Sequence, residues 1–223
     1  MADGDERSDR EPARIQAVYD EIASHFAETR AYPWPEVEAF LDGISGGNTA
    51  LDIGCGNGRH TALLADCAER AVGFDISREL LGTASERMAD NDWQAELVQG
   101  DGATLPFRSG TVDVAVYVAT LHHLPDREQR VASLGELGRV LGGEGRALVS
   151  AWSTAHDRFE AYDGTEPEGF DTTVDWTLPG GETVGRFYHI YAPEEFAADL
   201  SEAGLTVEEQ YVSSGNCYAE VRG

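Results

Sequence analysis

The 223-residue chain carries 41 acidic residues against 16 basic ones, a net charge of −25, and every base is an arginine because the sequence contains no lysine. So acidic a balance excludes a protein that grips nucleic acid through a broad basic stripe, and 41% hydrophobic residues in regular runs exclude a disordered chain. The acids are scattered over the whole length, which suits a halophilic surface in a very salty cytoplasm, where the Debye length is ~3 Å at 1 M. An acidic face made for a basic partner is the competing expectation.

The length fits one domain, residues 13–223, behind a disordered start of residues 1–12. Cys55, Cys67 and Cys217 form no Cys-x-x-Cys pair, so neither a disulfide nor a structural zinc is expected. Met1 to Arg14 is charged without an apolar core, unlike a signal peptide, and no apolar run approaches a membrane span. The expectation is a soluble, cytoplasmic protein.

In chain order, Ile15, Val18, Tyr19, Ile22 and Phe26 have helical spacing. On that basis Tyr19 and His25 are packing residues. Trp34 stands between Pro33 and Pro35, and Pro35 opens a helix over Glu36–Leu41. Trp34 is either a lid packed on the core or a contact to a base or substrate.

The stretch Thr49 to His60 then reads as strand, tight turn and helix, with glycines at 54, 56 and 58. Glycine admits positive φ and lets a ligand approach the backbone, and the helix start offers free N–H groups. A nucleotide-like ligand suits such a turn. The spacing is not the Gly-x-Gly-x-x-Gly of dinucleotide sites. Asp52, just before the glycines, would repel a pyrophosphate and suits a cationic ligand such as S-adenosylmethionine. Asp75 ends the next apolar run, where doubly wound folds place a ribose-binding carboxylate, and Asp101 follows the third.

Strands at Ala50–Ile53, Ala71–Asp75, Glu96–Val98, Val112–Val118 and Arg146–Ala151 alternate with amphipathic helices at Ser77–Ala89 and Glu128–Leu141. That order predicts an α/β fold with a mostly parallel sheet. His122 and His123 end the fourth strand. On an extended segment two neighbours point opposite ways, so one of them is a site residue, or the pair caps the helix after Pro125. No third ligand is nearby for a metal. Residues 155–181, acidic and aperiodic, predict a loop or flap. A late strand, Gly185–Tyr191, brings Arg186, Tyr188 and His189 together, either as substrate contacts or as the polar positions of an ordinary strand. A helix at Pro193–Ala203 and a strand at Thr206–Val212 follow.

The glycine turn and the three strand-ending acids resemble the class I S-adenosylmethionine-dependent methyltransferases over roughly residues 45–155. That resemblance implies a doubly wound, Rossmann-like seven-stranded sheet. Val18 to Arg30 followed by Trp34-Pro35, together with Leu121-His122-His123-Leu124, Glu136 to Leu141, Arg186-Phe187-Tyr188-His189 and Gly215-Asn216, is similar to the tRNA wobble-uridine carboxymethyl methyltransferases. Members of that family esterify the carboxylate of 5-carboxymethyluridine and work with a small zinc-binding activator protein.

By this likeness Asp52, Gly54, Gly56, Asp75 and Asp101 hold the cofactor, with Cys55, Gly58, Ile76 and Gly102 beside them. Arg30, Trp34, His122, Arg186, Tyr188 and His189 face the nucleotide. The strand Glu96–Val98 becomes a sheet edge open to the activator. No residue is assigned as a general base, because a carboxylate acceptor is already ionised at neutral pH; Arg30 and Arg186 are candidates to orient it. The rival expectations are a small-molecule methyltransferase, since fold does not fix substrate, and a cofactor-binding regulatory subunit without turnover.

Overall fold

The computed structural model describes residues 10–159 and 168–223. Helix α1 (Arg10–Thr29) carries the expected apolar stripe, and α2 (Pro35–Asp42) begins at its proline, where a missing N–H leaves no bond unmade. Then β1 (Gly47–Ile53), α3 (Thr61–Cys67), β2 (Ala68–Asp75), α4 (Arg78–Asn91), β3 (Glu96–Gln99), β4 (Val112–Val118), α5 (Arg127–Val140) and β5 (Leu141–Trp152) alternate as predicted. After them come β6 (Phe170–Thr177), β7 (Thr183–Ile190), α6 (Pro193–Glu202), β8 (Thr206–Ser213) and β9 (Asn216–Arg222).

The main sheet has seven strands in the order β3-β2-β1-β4-β5-β9-β8. β1 to β5 pair in parallel, while β9 runs antiparallel to both β5 and β8. Strand order reverses between β1 and β4, and the crevice beyond the carboxyl ends at such a switch point is where ligands sit. Alternation along β1 divides the core. Leu51 and Ile53 face α5 and α6, packing with Leu134, Leu137, Phe196 and Leu200. Ala50 faces α2 and α3, packing with Val37, Phe40 and Leu64. β3 stands at one edge of the sheet.

The expected flap contains a strand. β6 pairs antiparallel with β7 over Phe170–Thr177 as a separate two-stranded ribbon. Its acidic composition conceals a period-two pattern, Phe170, Thr172, Val174 and Trp176 against Asp171, Thr173 and Asp175. Residues 160–167 of that stretch, and residues 1–9 of the start expected to be disordered, lie outside the described residues. The ribbon packs on α1, where Trp176 and Val184 meet Ile22, Val18, Tyr19 and Phe26.

α1 is tied to the sheet layer by polar contacts as well. Asp20 accepts from the Ser77 hydroxyl at 2.6 Å and from the Glu79 N–H at 3.2 Å. Ser77 itself caps α4 by accepting from Leu80 N–H at 3.1 Å. Thus α1 and the ribbon roof the crevice above the glycine turn. Among the described residues no helix is long and apolar enough to cross a membrane.

Candidate active site

The turn after β1 is built by its glycines. Gly54 and Gly56 have φ of +72° and +53°, and a Cβ on Gly54 would run into the Thr120 side chain. Gly54 and Cys55 donate to the Phe74 carbonyl at 2.7 and 3.1 Å. Asp75, at the tip of β2, accepts from Gly56 N–H and from Ser77 N–H, both at 2.8 Å. Burial lifts its carboxyl to about 6, against the pull of those two bonds, so it is mostly charged at neutral pH.

Above the turn lies a cavity of about 370 Å³. Of the residues expected to hold the cofactor, Gly54, Cys55, Gly56, Asp75, Ile76, Asp101 and Gly102 line it. Two predicted residues do not. Asp52 lies on the Ala50 side of β1, where it accepts from the Thr61 hydroxyl at 2.6 Å and steadies the start of α3. Burial, with the Asp75 charge adding to it, raises the Asp52 carboxyl to about 7. Gly58 packs against the Trp93 ring, which a Cβ would approach to 3.0 Å.

Arginines and aromatic rings line the same cavity, with Asp175 among them. Arg30, Arg59, Arg158 and Arg186 line it, and no carboxylate among the described residues pairs with any of them, whereas Arg70, Arg127, Arg130, Arg139, Arg146 and Arg222 are all ion-paired. Arg186 is only 7% exposed, and its Nε has no hydrogen-bond partner. Its guanidinium lies 4.8 Å from the Trp176 ring centroid and 5.1 Å from that of Tyr188. Arg30 approaches Trp176 as well, at 5.3 Å. Trp34 is placed for either of the two roles expected of it. It lines the cavity under Arg59, at 5.1 Å, and packs edge-on against His60 and Tyr218.

Both histidines reach the cavity, which corrects the expectation of one. Leu121–His123 form a 3-10 turn rather than an extended segment, and the two rings sit 4.4 Å apart. Asp126, not a histidine, stands at the start of α5. Their tautomers follow from their partners. Trp152 N–H donates to His122 Nδ1 at 3.1 Å, which leaves the proton on Nε2. The Phe187 carbonyl, 3.0 Å from His123 Nδ1, can only accept, so Nδ1 carries the proton there and Nε2 accepts from Tyr19 OH at 2.6 Å. Burial holds His123 down to about 3 and His122 well below the usual imidazole range, so both rings are neutral. Tyr19 is therefore more than a packing residue. His25 is a ribbon contact, accepting from Trp176 Nε1 at 3.1 Å.

The trio on β7 is split. Facing pairs Val174–Arg186, Thr172–Tyr188 and Trp176–Val184 share one face of the ribbon, and Asp171–His189 lies on the other. Arg186 and Tyr188 line the cavity; His189 does not. Its ring bridges Asp171 Oδ1 at 2.7 Å and Glu195 Oε1 at 2.9 Å, tying the ribbon to α6. Among the described residues no group of three or more His, Cys, Asp or Glu is placed to hold a metal ion.

The donor set fits S-adenosylmethionine. Carboxylates at one end suit its ribose and amine. Gly56 presents no side chain, and the nearest atom to a Cβ there would be Phe26, 3.5 Å away. Arg30, Arg59, Arg158 and Arg186, none ion-paired among the described residues, line the same cavity. A family model described as a methyltransferase domain matches residues 50–145, and sheet order, turn and acid-tipped strands together define a class I methyltransferase fold.

A tRNA (carboxymethyluridine(34)-5-O)-methyltransferase of Schizosaccharomyces pombe is 33% identical over 87% of this chain and 90% of its own length. The chain belongs to that methyltransferase family. The enzyme named tRNA (carboxymethyluridine(34)-5-O)-methyltransferase ALKBH8 of Mus musculus is 37% identical over 64% of this chain but 20% of its own length. Indeed the chain spans 20% to 39% of the first relatives it matches. A solved complex between the Haloferax volcanii Trm112 methyltransferase activator and the putative methyltransferase shares the fold, with a TM-score of 0.66 at 17% identity, over 92% of this chain and 96% of that one.

Proposed function

We propose that the protein uses S-adenosylmethionine to esterify the carboxylate of 5-carboxymethyluridine at the wobble position of tRNA. The observation that carries this reading is Arg186, a buried guanidinium without a carboxylate partner among the described residues, in a chain where acids outnumber bases 41 to 16. An anion brought in by the substrate completes such a site. Family membership supplies the identity of the anion.

Bound at the acidic end, the sulfonium supplies an electrophilic methyl group. The protein's own residues do the rest. Arg186 orients the acceptor carboxylate, with Arg30 at the mouth of the cavity and the free Nε2–H of His122 as a further donor. With Asp75 and Asp101 holding it, S-adenosylmethionine would give its methyl group to the carboxylate oxygen that Arg186 presents and would leave as a neutral thioether. No proton moves, so the step needs alignment and exclusion of water rather than a base. Two neutral, weakly basic histidines suit that division of labour. The ester is uncharged, so Arg186 loses its counter-ion on turnover, which favours release.

RNA must be held without a basic stripe. The opening segment offers Tyr32, 85% exposed, between Arg30 and Trp34 as a stacking surface. A small zinc-binding activator protein, pairing with the edge strand β3, supplies the rest of the RNA-binding surface. In support, β3 stands at the edge of the sheet with Glu96 and Gln99 exposed. Slower amide exchange at residues 96–99 on adding such an activator is the expected sign, and unchanged exchange there removes it from this edge. The function is tested by mass spectrometry of tRNA nucleosides from a strain lacking the protein. The expected result is loss of the methyl ester with accumulation of the free carboxymethyl form; an unchanged ester level overturns it.

A further inference from the structure

A second cavity, of about 450 Å³, lies against the first, between α1 and the ribbon. That volume is within the ~300–1,000 Å³ usual for ligand sites. Thr173, Gly185 and Phe187 line it from the ribbon face opposite to that of Trp176, and Arg14 and Val18 line it from α1. Tyr19, His123 and Arg186 border both cavities. The partition between them is thus the Tyr19–His123 hydrogen bond, with an arginine beside it. Among the described lining residues there is no carboxylate, and two are arginines, in a chain of net charge −25. Arg14, like Arg186, pairs with no carboxylate among the described residues.

We propose that this second cavity holds the nucleotide adjoining the methyl acceptor on the same strand, its phosphate toward Arg14 and its base against Phe187. The inference rests on the tRNA reading above and adds a site to it. Two arginines on one cleft, with no carboxylate among its described lining residues, select an anion, and the wall shared with the first cavity selects one covalently linked to the acceptor. An aromatic ring beside an arginine is the usual pair for an unstacked base and its phosphate. The strand then runs along α1, and the acceptor turns past Tyr19 and His123 into the methyl-transfer cavity.

The test compares an anticodon stem–loop carrying 5-carboxymethyluridine with the free nucleoside as acceptors, using the full chain, its activator and Arg14→Ala. Arg14 is exposed, so the variant leaves the fold intact. The stem–loop KM is expected to rise about tenfold, as for loss of one charged hydrogen bond, with kcat and the nucleoside KM unchanged and with Arg14→Lys restoring most of the loss. The slope of log K against log salt for stem–loop binding should fall by ~0.7. An unchanged stem–loop KM and salt slope, or an equal loss on both acceptors, overturns the second site alone. Transfer by the unaltered protein to neither acceptor overturns the tRNA reading and this site with it.

Discussion

Burying a guanidinium without a carboxylate works against folding, and cation–π contacts with Trp176 and Tyr188 offset only part of that. Arg186 is therefore the residue whose replacement says most about the acceptor. Arg186→Ala should lower kcat/KM for the tRNA acceptor by about 100-fold, the usual scale for truncating a buried charged contact. Arg186→Lys should fall between, since it keeps the charge and loses the fork. The cofactor Kd, measured by calorimetry, should not move in either variant. A parallel fall in cofactor affinity would reassign Arg186 to the methyl donor. Asp75 makes a second residue-scale prediction. Its folded carboxyl lies near 6, above the ordinary 3.8, so in the free protein its contribution to stability is greatest below pH 4 and is lost as pH rises through 6. A cationic ligand favours the charged form. Cofactor affinity should therefore rise from pH 5 to 7, and pH-independent binding over that window would exclude Asp75 from the contact. At this scale the sequence was uneven. Glycine and acid spacing located Asp75 and Asp101, because a tight turn at a strand tip leaves a local pattern. Tyr19 left none, since its partner His123 is 104 residues away and its helical spacing marks it only as core.

Among the elements, the β6–β7 ribbon decides what the cavity admits, because it carries Trp176, Arg186 and Tyr188 on one face. What fixes it on the other face is His189. Both ring nitrogens meet carboxylate oxygens, Asp171 on β6 and Glu195 on α6, while Glu195 also accepts from Gly169 N–H at 2.7 Å and lies 3.7 Å from Arg130 on α5. His189→Leu should destabilise the protein by roughly 1–3 kcal/mol, speed amide exchange over residues 170–190 and raise the acceptor KM with cofactor binding unchanged. A stability loss with uniform exchange and an unaltered acceptor KM would reduce His189 to packing. The first three main-sheet strands were legible from apolar runs ending at or just before acids, whereas β9, which pairs with β5 and β8, was not predicted. β6 was hidden because acids, glycines and prolines around it mimic a loop, although its own alternation was present. Adjacent Tyr188 and His189 could have been separated by period two alone; their assignment to one site ignored that a strand sends neighbours to opposite faces.

On the scale of the whole molecule, 41 acids repel one another, and among the described residues six arginines are committed to ion pairs while Arg14, Arg30, Arg59, Arg158 and Arg186 line the two cavities. We propose that this distribution is an adaptation to high salt. Screening shortens from about 10 Å at 0.1 M to about 3 Å at 1 M, so the melting temperature should climb as KCl is raised over that range, and a flat or falling curve would contradict the salt adaptation. On the proposed reading Asp75 and Asp101 serve the methyl donor and Arg186 the acceptor. The most direct measurement is methyl transfer to two synthetic anticodon stem–loops that differ only at the wobble base, one bearing 5-carboxymethyluridine and the other its neutral amide. Alkali-labile methyl incorporation into the acid alone is the predicted result; equal transfer to the amide, or a methyl group stable to alkali, would contradict it.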